Sequence, residues 1–277
     1  MKIGSTKTFI DALNNITTSD DYELFFRGHS QEKKYSLIPA IYRPKYINFL
    51  RNEDRIFREI LSYLPEDFRN EKTTFDCLVK MQHYSIPTRL LDLTKNPLVA
   101  LYFAARKDIK LRGEVVVLKI PKKEIRHFES DSVSIVSNLS KRPFNFDISG
   151  YKINRINIFN KKKEISYLLH EIKSEKPYFL SIIEPKTIGS VLCVNPKMNN
   201  QRILRQEGAF LLFGINQTKE MPATIQKDWI LFNSEKKKFL IYQKEKILNE
   251  LNRVGINERF LFPELDKQAE FLKAKYA

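Results

Sequence analysis

Three short clusters of polar residues, each next to an apolar segment, contain the side chains of this chain that could bind or transform a ligand. The first cluster follows the aromatic residues 22–26 and consists of Arg27, Gly28 and His29. A guanidinium is planar and can hold a phosphate or a carboxylate through two parallel hydrogen bonds. Arg27 therefore has two interpretations, an anion-binding residue at the edge of a cleft or one partner of a buried ion pair.

The second cluster, residues 81–97, places many polar side chains between two apolar segments with helical spacing. It includes His83, Thr88, Arg89 and Thr94. Buried polar groups need hydrogen-bond partners, so a dense polar segment in this position indicates either a structural hydrogen-bond network or a ligand site. Both interpretations stay open, and in the structural one Arg89 forms an ion pair with Asp92.

The third cluster precedes residues 209–213, an apolar segment that is typical of a buried strand. Its polar residues are Arg202, Arg205, Gln206 and Glu207, and Gly208 follows them. Ends of strands commonly display site residues from a rigid scaffold; the alternative is a solvated polar cap on the strand. Because successive residues of a strand face opposite sides, we expect only one of Gln206 and Glu207 to enter a cleft.

Missing motifs exclude several common enzyme classes. The eight glycines do not form a Gly-rich phosphate loop or a dinucleotide fingerprint, and the Gly-x-Ser-x-Gly sequence of serine hydrolases does not occur. The four histidines are far apart and lack metal-ligand spacing with cysteines or carboxylates. We therefore expect no metal site.

The positive charge of the chain is concentrated in its second part. The net charge is +15, of which residues 101–277 carry +13 and residues 1–100 only +2. An excess of this size raises the local concentration of anions, and it makes nucleic acid or another phosphate-bearing ligand a candidate partner. The alternative is a lysine-rich composition without a binding role, because lysine rather than arginine dominates the excess.

The hydropathy pattern indicates a protein of the cytoplasm. The longest apolar run, residues 98–105, is far shorter than the roughly 20 residues that a membrane-spanning helix needs. The only cysteines, Cys77 and Cys193, lie in apolar patterns. Because a disulfide framework is not expected, a reducing compartment fits, and we expect no membrane partner.

The apolar spacing predicts an α+β fold in one compact domain, with helices in the first half and a strand-rich second half. Residues 1–20 are expected to form a helix packed on a domain that spans 21–277, and residues 121–160 to form an insertion or a lid. Strands are predicted at 22–27, 113–120, 190–194, 209–213, 229–233 and 239–242. Helices are predicted at 6–16, 53–64, 72–84, 97–105, 161–173, 245–253 and 264–276.

The three clusters together resemble the FRG-domain family, which is named for a Phe-Arg-Gly motif. That motif is Phe26-Arg27-Gly28 here. Residues 82–94, 96–97 and 100–104 resemble the central signature of the family, with Leu93 where the family usually has Trp. Residues 206–210 and 261–266 also look familial, so the resemblance covers roughly residues 20–270.

A remoter similarity to ADP-ribosyltransferases implies a split sheet and NAD as the substrate. It implies that Arg27 grips the NAD diphosphate, with His83, Thr88 and Arg89 also lining the NAD site. Thr94 or Thr88 would position the site, and Glu207 or Gln206 would hold a ribose hydroxyl and stabilise the positive charge that develops on the ribose.

This resemblance implies an acceptor that is nucleic acid or protein, in a bacterial toxin or in phage defence. The sequence departs from the ADP-ribosyltransferase pattern in two respects. It has no Ser-Thr-Ser element, and Gln206 and Glu207 are adjacent rather than one residue apart. A non-catalytic nucleic-acid-binding or nucleotide-binding module is the alternative. On either reading, Arg27, the loop of residues 82–94 and the turn of residues 205–207 should line one cleft.

Overall fold

A computed structural model describes residues 1–151, 155–231 and 238–276. Among these residues, eight strands form one mixed sheet in the order β1-β10-β4-β2-β3-β7-β6-β5, and β8 and β9 form a separate two-stranded ribbon. The strands are β1 Lys2–Ile3, β2 Tyr22–His29, β3 Leu90–Thr94, β4 Gly113–Pro121, β5 Ile125–His127, β6 Val191–Asn195, β7 Gly208–Phe213, β8 Ile215–Asn216, β9 Thr218–Pro222 and β10 Phe239–Ile241.

Helices accompany the strands along the whole chain, so the predicted α+β architecture is confirmed. They are α1 Thr6–Asn14, α2 Ile47–Arg51, α3 Glu53–Tyr63, α4 Pro65–Phe68, α5 Thr74–His83, α6 Pro97–Ala105, α7 Asp131–Ser137, α8 Ile156–Asn160, α9 Lys163–Glu175, α10 Pro185–Ile188, α11 Gln201–Gln206, α12 Lys244–Arg253, α13 Glu258–Leu261 and α14 Leu265–Tyr276. None of the helices in the described ranges is long and apolar enough to cross a membrane.

Three clusters of buried apolar residues pack against the two faces of the sheet. On one face, α1, α6 and α12 cover β2, β4 and β10, and α5, α7 and α9 cover β6 and β7. These two clusters are separate, and the junction of β2 with β3 lies between them. The opposite face carries a third cluster that includes Trp229, the only tryptophan of the chain.

Helix α6 is the apolar element nearest to this junction, and its start and its packing follow from the sequence. The Asn96 side chain caps the helix by accepting hydrogen bonds from the backbone N–H groups of Leu98 and Val99, and Pro97 occupies the first turn. A Cβ atom on Gly28 would lie 2.0 Å from the carbonyl oxygen of Ala100. The glycine of the Phe-Arg-Gly motif therefore allows α6 to lie directly on β2.

The predicted terminal helix and insertion are integrated with the sheet. Helix α1 begins after a Ser5 cap, and β1 pairs in parallel with β10. Within residues 121–160, β5 pairs with β6 and α7 buries Val133 and Val136, whereas residues 152–154 lie outside the described residues.

Of the strand predicted at 229–233, Trp229 ends a 3-10 turn and Ile230 forms an isolated bridge with Leu118. Residues 232 and 233 of that predicted strand lie outside the described residues.

Candidate functional site

The sheet opens between β2 and β3. Strand β2 pairs with β4 along its whole length but with β3 only at Phe26 and Thr94. Beyond that pair the Arg27 side chain replaces the missing backbone contact, because its Nη1 donates a 2.5 Å hydrogen bond to the carbonyl oxygen of Asp92. The two strands diverge here, and a cleft forms in the gap.

This cleft has an empty volume of about 650 Å³ and lies between the two helical layers that cover one face of the sheet. Phe26, Leu93 and Phe103 supply apolar walls. The polar residues that line it are Arg27, Gln82, Asp92, Thr94, Arg202 and Gln206. Residues from all three sequence clusters therefore meet in one place. The predicted convergence holds for Arg27, for part of the 82–94 loop and for Gln206, whereas Arg205 and Glu207 of the 205–207 turn do not line the cleft.

The Arg27 guanidinium is held at the centre of the gap. Its side chain is only 16% exposed and lies 3.7 Å from the Asp92 carboxylate. Its Nε donates to His29 Nε2 at 3.1 Å, whereas its Nη2 makes no hydrogen bond to any described residue. Burial lowers the pKa of Arg27, and the charge of Asp92 opposes that effect. An arginine keeps its proton at physiological pH, so a buried cation with one free edge faces the cleft.

Asp92 is the carboxylate of the cleft, and it is half-exposed in an otherwise buried strand. Gln82 Nε2 donates to Asp92 Oδ2 at 3.0 Å, and Thr88 Oγ1 donates to Gln82 Oε1 at 2.8 Å. Asp92 Oδ1 has no partner among the described residues. Thr88 is buried and contributes by orienting Gln82 rather than by lining the cleft.

Gln206 ends helix α11 and lines the same cleft as Arg27. Its Nε2 donates to the carbonyl oxygen of Leu261 at 2.9 Å, and its own carbonyl oxygen accepts a 2.5 Å hydrogen bond from Thr94 Oγ1. Gln206 Oε1 has no partner within the described part of the chain. Thr94 thus fastens α11 to β3, and Gln206 presents an acceptor to a ligand.

Glu207 does not line the cleft. It is the C-cap of α11 in the left-handed conformation, with φ 45°, and its exposed carboxylate accepts a 2.9 Å hydrogen bond from Asn96 Nδ2. Gln206 and Glu207 are thus separated by the end of a helix and not by the alternation of a strand. The expectation that only one of them enters the cleft agrees with the geometry, for a different reason.

His83 lies where the cleft continues towards α11 and the C-terminal segment. Its Nδ1 accepts a 3.0 Å hydrogen bond from Asn200 Nδ2, so Nε2 carries the proton that it donates to Glu264. Arg202 lies 3.6 Å from the same carboxylate. Because both ring nitrogens of His83 are engaged, it fixes the cleft wall instead of offering a free base.

Arg89 is fully buried and lies outside the cleft. Its guanidinium donates to both carboxylate oxygens of Glu53, at 2.9 and 2.5 Å, and Lys219 lies 2.8 Å from the same carboxylate. Burial alone would lower the pKa of Arg89, but Glu53 outweighs burial and raises it. The structural ion pair considered for Arg89 exists with Glu53 rather than with Asp92, which pairs with Arg27.

Sequence reasoning gave Gln82, Asp92 and Arg202 no individual role in the site, although all three lie within the polar clusters. The available signal was Asp92, a charged residue in the middle of the apolar strand β3, since a buried strand tolerates such a residue only with a partner or a function. Within the described ranges, no group of three or more His, Cys, Asp or Glu side chains could hold a metal ion.

Part of the chain matches a known protein family. Residues 22–112 match the model of the FRG domain family. The FRG match contains Arg27, Gln82, Asp92 and Thr94 but ends before α11. No curated protein and no solved structure matches the chain, so the ADP-ribosyltransferase-like split sheet stays a prediction.

Proposed function

We propose that the cleft binds NAD and that the protein transfers ADP-ribose from NAD to an acceptor. The observation that carries this proposal is the free guanidinium edge of Arg27 beside the Asp92 carboxylate, with Gln82 and Gln206 next to them in one cleft. A cation that can grip a diphosphate and a carboxylate that can face a developing positive charge are the two groups that this chemistry needs.

In the proposed reaction, the bond between ribose C1′ and the nicotinamide nitrogen breaks, and nicotinamide leaves as a neutral molecule. The acceptor nucleophile forms the new bond to C1′ and loses its proton to solvent. The ribose is oxocarbenium-like in the transition state, as in glycosyl transfer generally. Asp92, rather than Glu207, would stabilise that charge, and Gln206 Oε1 would accept a hydrogen bond from a ribose hydroxyl.

The remaining residues support these roles. Thr88 acts through Gln82 on Asp92, and Thr94 holds the end of α11 in place. The excess of +13 over residues 101–277 favours an anionic acceptor, of which nucleic acid is one. We propose that this activity takes place in the cytoplasm and serves in bacterial toxin action or phage defence.

A non-catalytic nucleotide-binding or nucleic-acid-binding module is the second candidate. Polar groups near the cleft that already have protein partners favour this candidate, since such groups are less available for catalysis. Asp92 Oδ2 faces both Gln82 and Arg27, and both ring nitrogens of His83 are hydrogen-bonded. Under this alternative, NAD or another nucleotide binds without losing nicotinamide.

Release of nicotinamide from NAD, measured by chromatography with and without nucleic acid, tests the proposal. Arg27→Gln should mainly weaken NAD binding, because it removes the charge that faces the diphosphate. Asp92→Asn should lower turnover by about 100-fold or more with little change in NAD affinity, which is the behaviour of a group that acts mainly in the transition state.

Glu207→Gln is the matched control, since this carboxylate lies outside the cleft and should be dispensable. If Glu207→Gln abolishes turnover and Asp92→Asn does not, the assignment of the carboxylate is wrong. If NAD binds without nicotinamide release under all conditions, the binding module replaces the enzyme.

A further inference from the structure

A second cavity continues the cleft past Gly28 to the end of β2, and we call it the annex. The annex has an empty volume of about 550 Å³ and shares Arg27, Gly28 and Phe103 with the cleft. Four of the side chains that line it are cations, namely Arg27, Arg43, Arg106 and Lys107. The two cavities can therefore be occupied by two parts of one ligand.

The positive charge of the annex is only partly neutralised. Arg27 lies 3.7 Å from Asp92, and Arg106 lies 3.6 Å from Glu258, a half-exposed carboxylate. The charged groups of Arg43 and Lys107 form no ion pair within the described ranges, and none of the annex-lining residues is an acid. The Arg43 guanidinium instead lies 5.5 Å from the centre of the Tyr35 ring, which orients it. The Asp108 carboxylate accepts a 2.7 Å hydrogen bond from Ser30 Oγ at the annex wall. Four cations against the three neighbouring carboxylates Asp92, Glu258 and Asp108 leave the annex with a net positive charge.

His29 provides an independent indication of a missing partner. It lies in the annex wall, is 4% exposed, and its Nε2 accepts a hydrogen bond from Arg27 Nε. The proton of the neutral ring is therefore on Nδ1, and this buried N–H has no hydrogen-bond partner in the described part of the structure. A buried donor without a partner is costly, and an anion oxygen, or a water that the anion holds, would relieve that cost.

Lys244 fixes the backbone beneath the annex. Its buried ammonium donates to the carbonyl oxygens of Ser30 at 2.7 Å, Lys107 at 2.8 Å and Asp108 at 3.0 Å. These carbonyls belong to the two loops that follow β2 and α6. The ammonium group joins the loops and occupies carbonyl oxygens that would otherwise repel an anion.

We propose that the annex binds a terminal phosphate monoester of a nucleotide whose remaining part lies in the cleft. A monoester phosphate carries a charge between about −1.5 and −2 and three acceptor oxygens, which suits several convergent cations better than a singly charged carboxylate does. The inference rests on the proposed function only in taking the ligand to be a nucleotide; the phosphate site itself is independent of catalysis.

Calorimetric titration with ADP, NAD and inorganic pyrophosphate at fixed ionic strength tests the annex. ADP and pyrophosphate end in a monoester-like phosphate, whereas NAD does not. The double variant Arg43→Gln/Lys107→Gln should bind ADP and pyrophosphate about tenfold or more weakly, since it removes two charge-assisted contacts, with the affinity for NAD unchanged. The control is Lys173→Gln/Arg253→Gln, which removes the same charge from two exposed residues without ion pairs in the described ranges, and it should bind all three ligands like the wild type.

The annex proposal is overturned if ADP and pyrophosphate do not bind, if they bind the double variant as tightly as the wild type, or if the control loses as much affinity. Annex-dependent ADP binding without nicotinamide release would retain the annex and reject the enzyme. Nicotinamide release together with an unchanged ADP affinity in the double variant would retain the enzyme and reject the annex. Retained melting temperatures of both double variants show that a loss of affinity is not a loss of folding.

Discussion

Replacement of Gly28 by alanine should destabilise the protein because α6 leaves no space for a side chain on β2. The added Cβ would lie 2.0 Å from the carbonyl oxygen of Ala100 and 2.6 Å from the backbone nitrogen of Ala104, whereas ordinary contacts are 3.4–4 Å. Both opposing atoms belong to backbone that is fully buried. The helix would have to move away from the strand by more than 1 Å, which is the distance missing from an ordinary contact.

The net effect can be estimated from two opposing contributions. Forcing an extra methyl group into a packed core costs about 1–3 kcal/mol, and more where backbone must shift. Replacing glycine reduces the conformational entropy of the unfolded chain, which stabilises the folded state by about 0.4–1 kcal/mol. Because the clash is with backbone atoms of α6 and not with the end of a flexible side chain, the first contribution should dominate, and we expect a loss of about 2–3 kcal/mol in the free energy of unfolding.

Urea unfolding followed by the fluorescence of Trp229 measures this loss, since the single tryptophan is buried in the folded protein. Gly150→Ala is the matched control, because a Cβ there would meet nothing within 4 Å, and its stability should equal or slightly exceed that of the wild type. A Gly28→Ala protein that unfolds within about 0.5 kcal/mol of the wild type, the range of neutral surface substitutions, would refute the close packing of α6 on the Phe-Arg-Gly motif.

Three further predictions concern buried charge and the basic surface. Glu53→Gln leaves Arg89 and Lys219 buried without a carboxylate, so urea unfolding should show that the free energy of unfolding falls by about 3–5 kcal/mol. Glu66→Gln, at an exposed ion pair, should change the free energy of unfolding little. Equal effects of the two substitutions would contradict this expectation. Burial lowers the pKa of His29 to about 3, so the unfolded chain takes up a proton near pH 6.5 that the folded protein does not. The free energy of unfolding should therefore fall on acidification from pH 6.5 towards 3, by up to about 1.4 kcal/mol per pH unit from this residue, and a His29→Gln protein with the same pH slope as the wild type would exclude it as the cause. If the excess of +13 in residues 101–277 contacts nucleic acid, the affinity measured by fluorescence anisotropy should fall steeply between about 50 and 200 mM salt, and a flat response would leave the charge without that role.

The elements near the cleft were predictable because their signals are local. The aromatic strand β2, the apolar strands β4 and β7, and the amphipathic helices α3 and α5 all follow from periodicity and flanking turn residues. The start of α6 follows from the Asn96-Pro97 pair. The resemblance to ADP-ribosyltransferases predicted that Arg27 and Gln206 lie close together, and both line the cleft.

The identity of several site residues was not predictable, because it depends on contacts between distant parts of the chain. Arg89 pairs with Glu53 on α3 and not with Asp92, which is close to it in the sequence. The strand order places Asp92 beside Arg27 instead. Glu207 leaves the cleft because a short helix ends directly before it. Local sequence spacing therefore does not reveal the partner of Arg89, and it does not show that Glu207 ends a helix instead of lying in a strand.

The single register pair between β2 and β3 divides the sheet into two four-stranded blocks, β1-β10-β4-β2 and β3-β7-β6-β5. The chain crosses between these blocks repeatedly, since β2, β4 and β10 belong to one block while β3, β5, β6 and β7 belong to the other. The seam between the blocks therefore has fewer register pairs than any other pair of neighbouring strands in the described sheet, yet several crossings of the chain bridge it instead of one linker. A ligand that binds between β2 and β3 would contact both blocks at once. It would therefore stiffen the sheet at the strand pair that has the fewest backbone hydrogen bonds of its own.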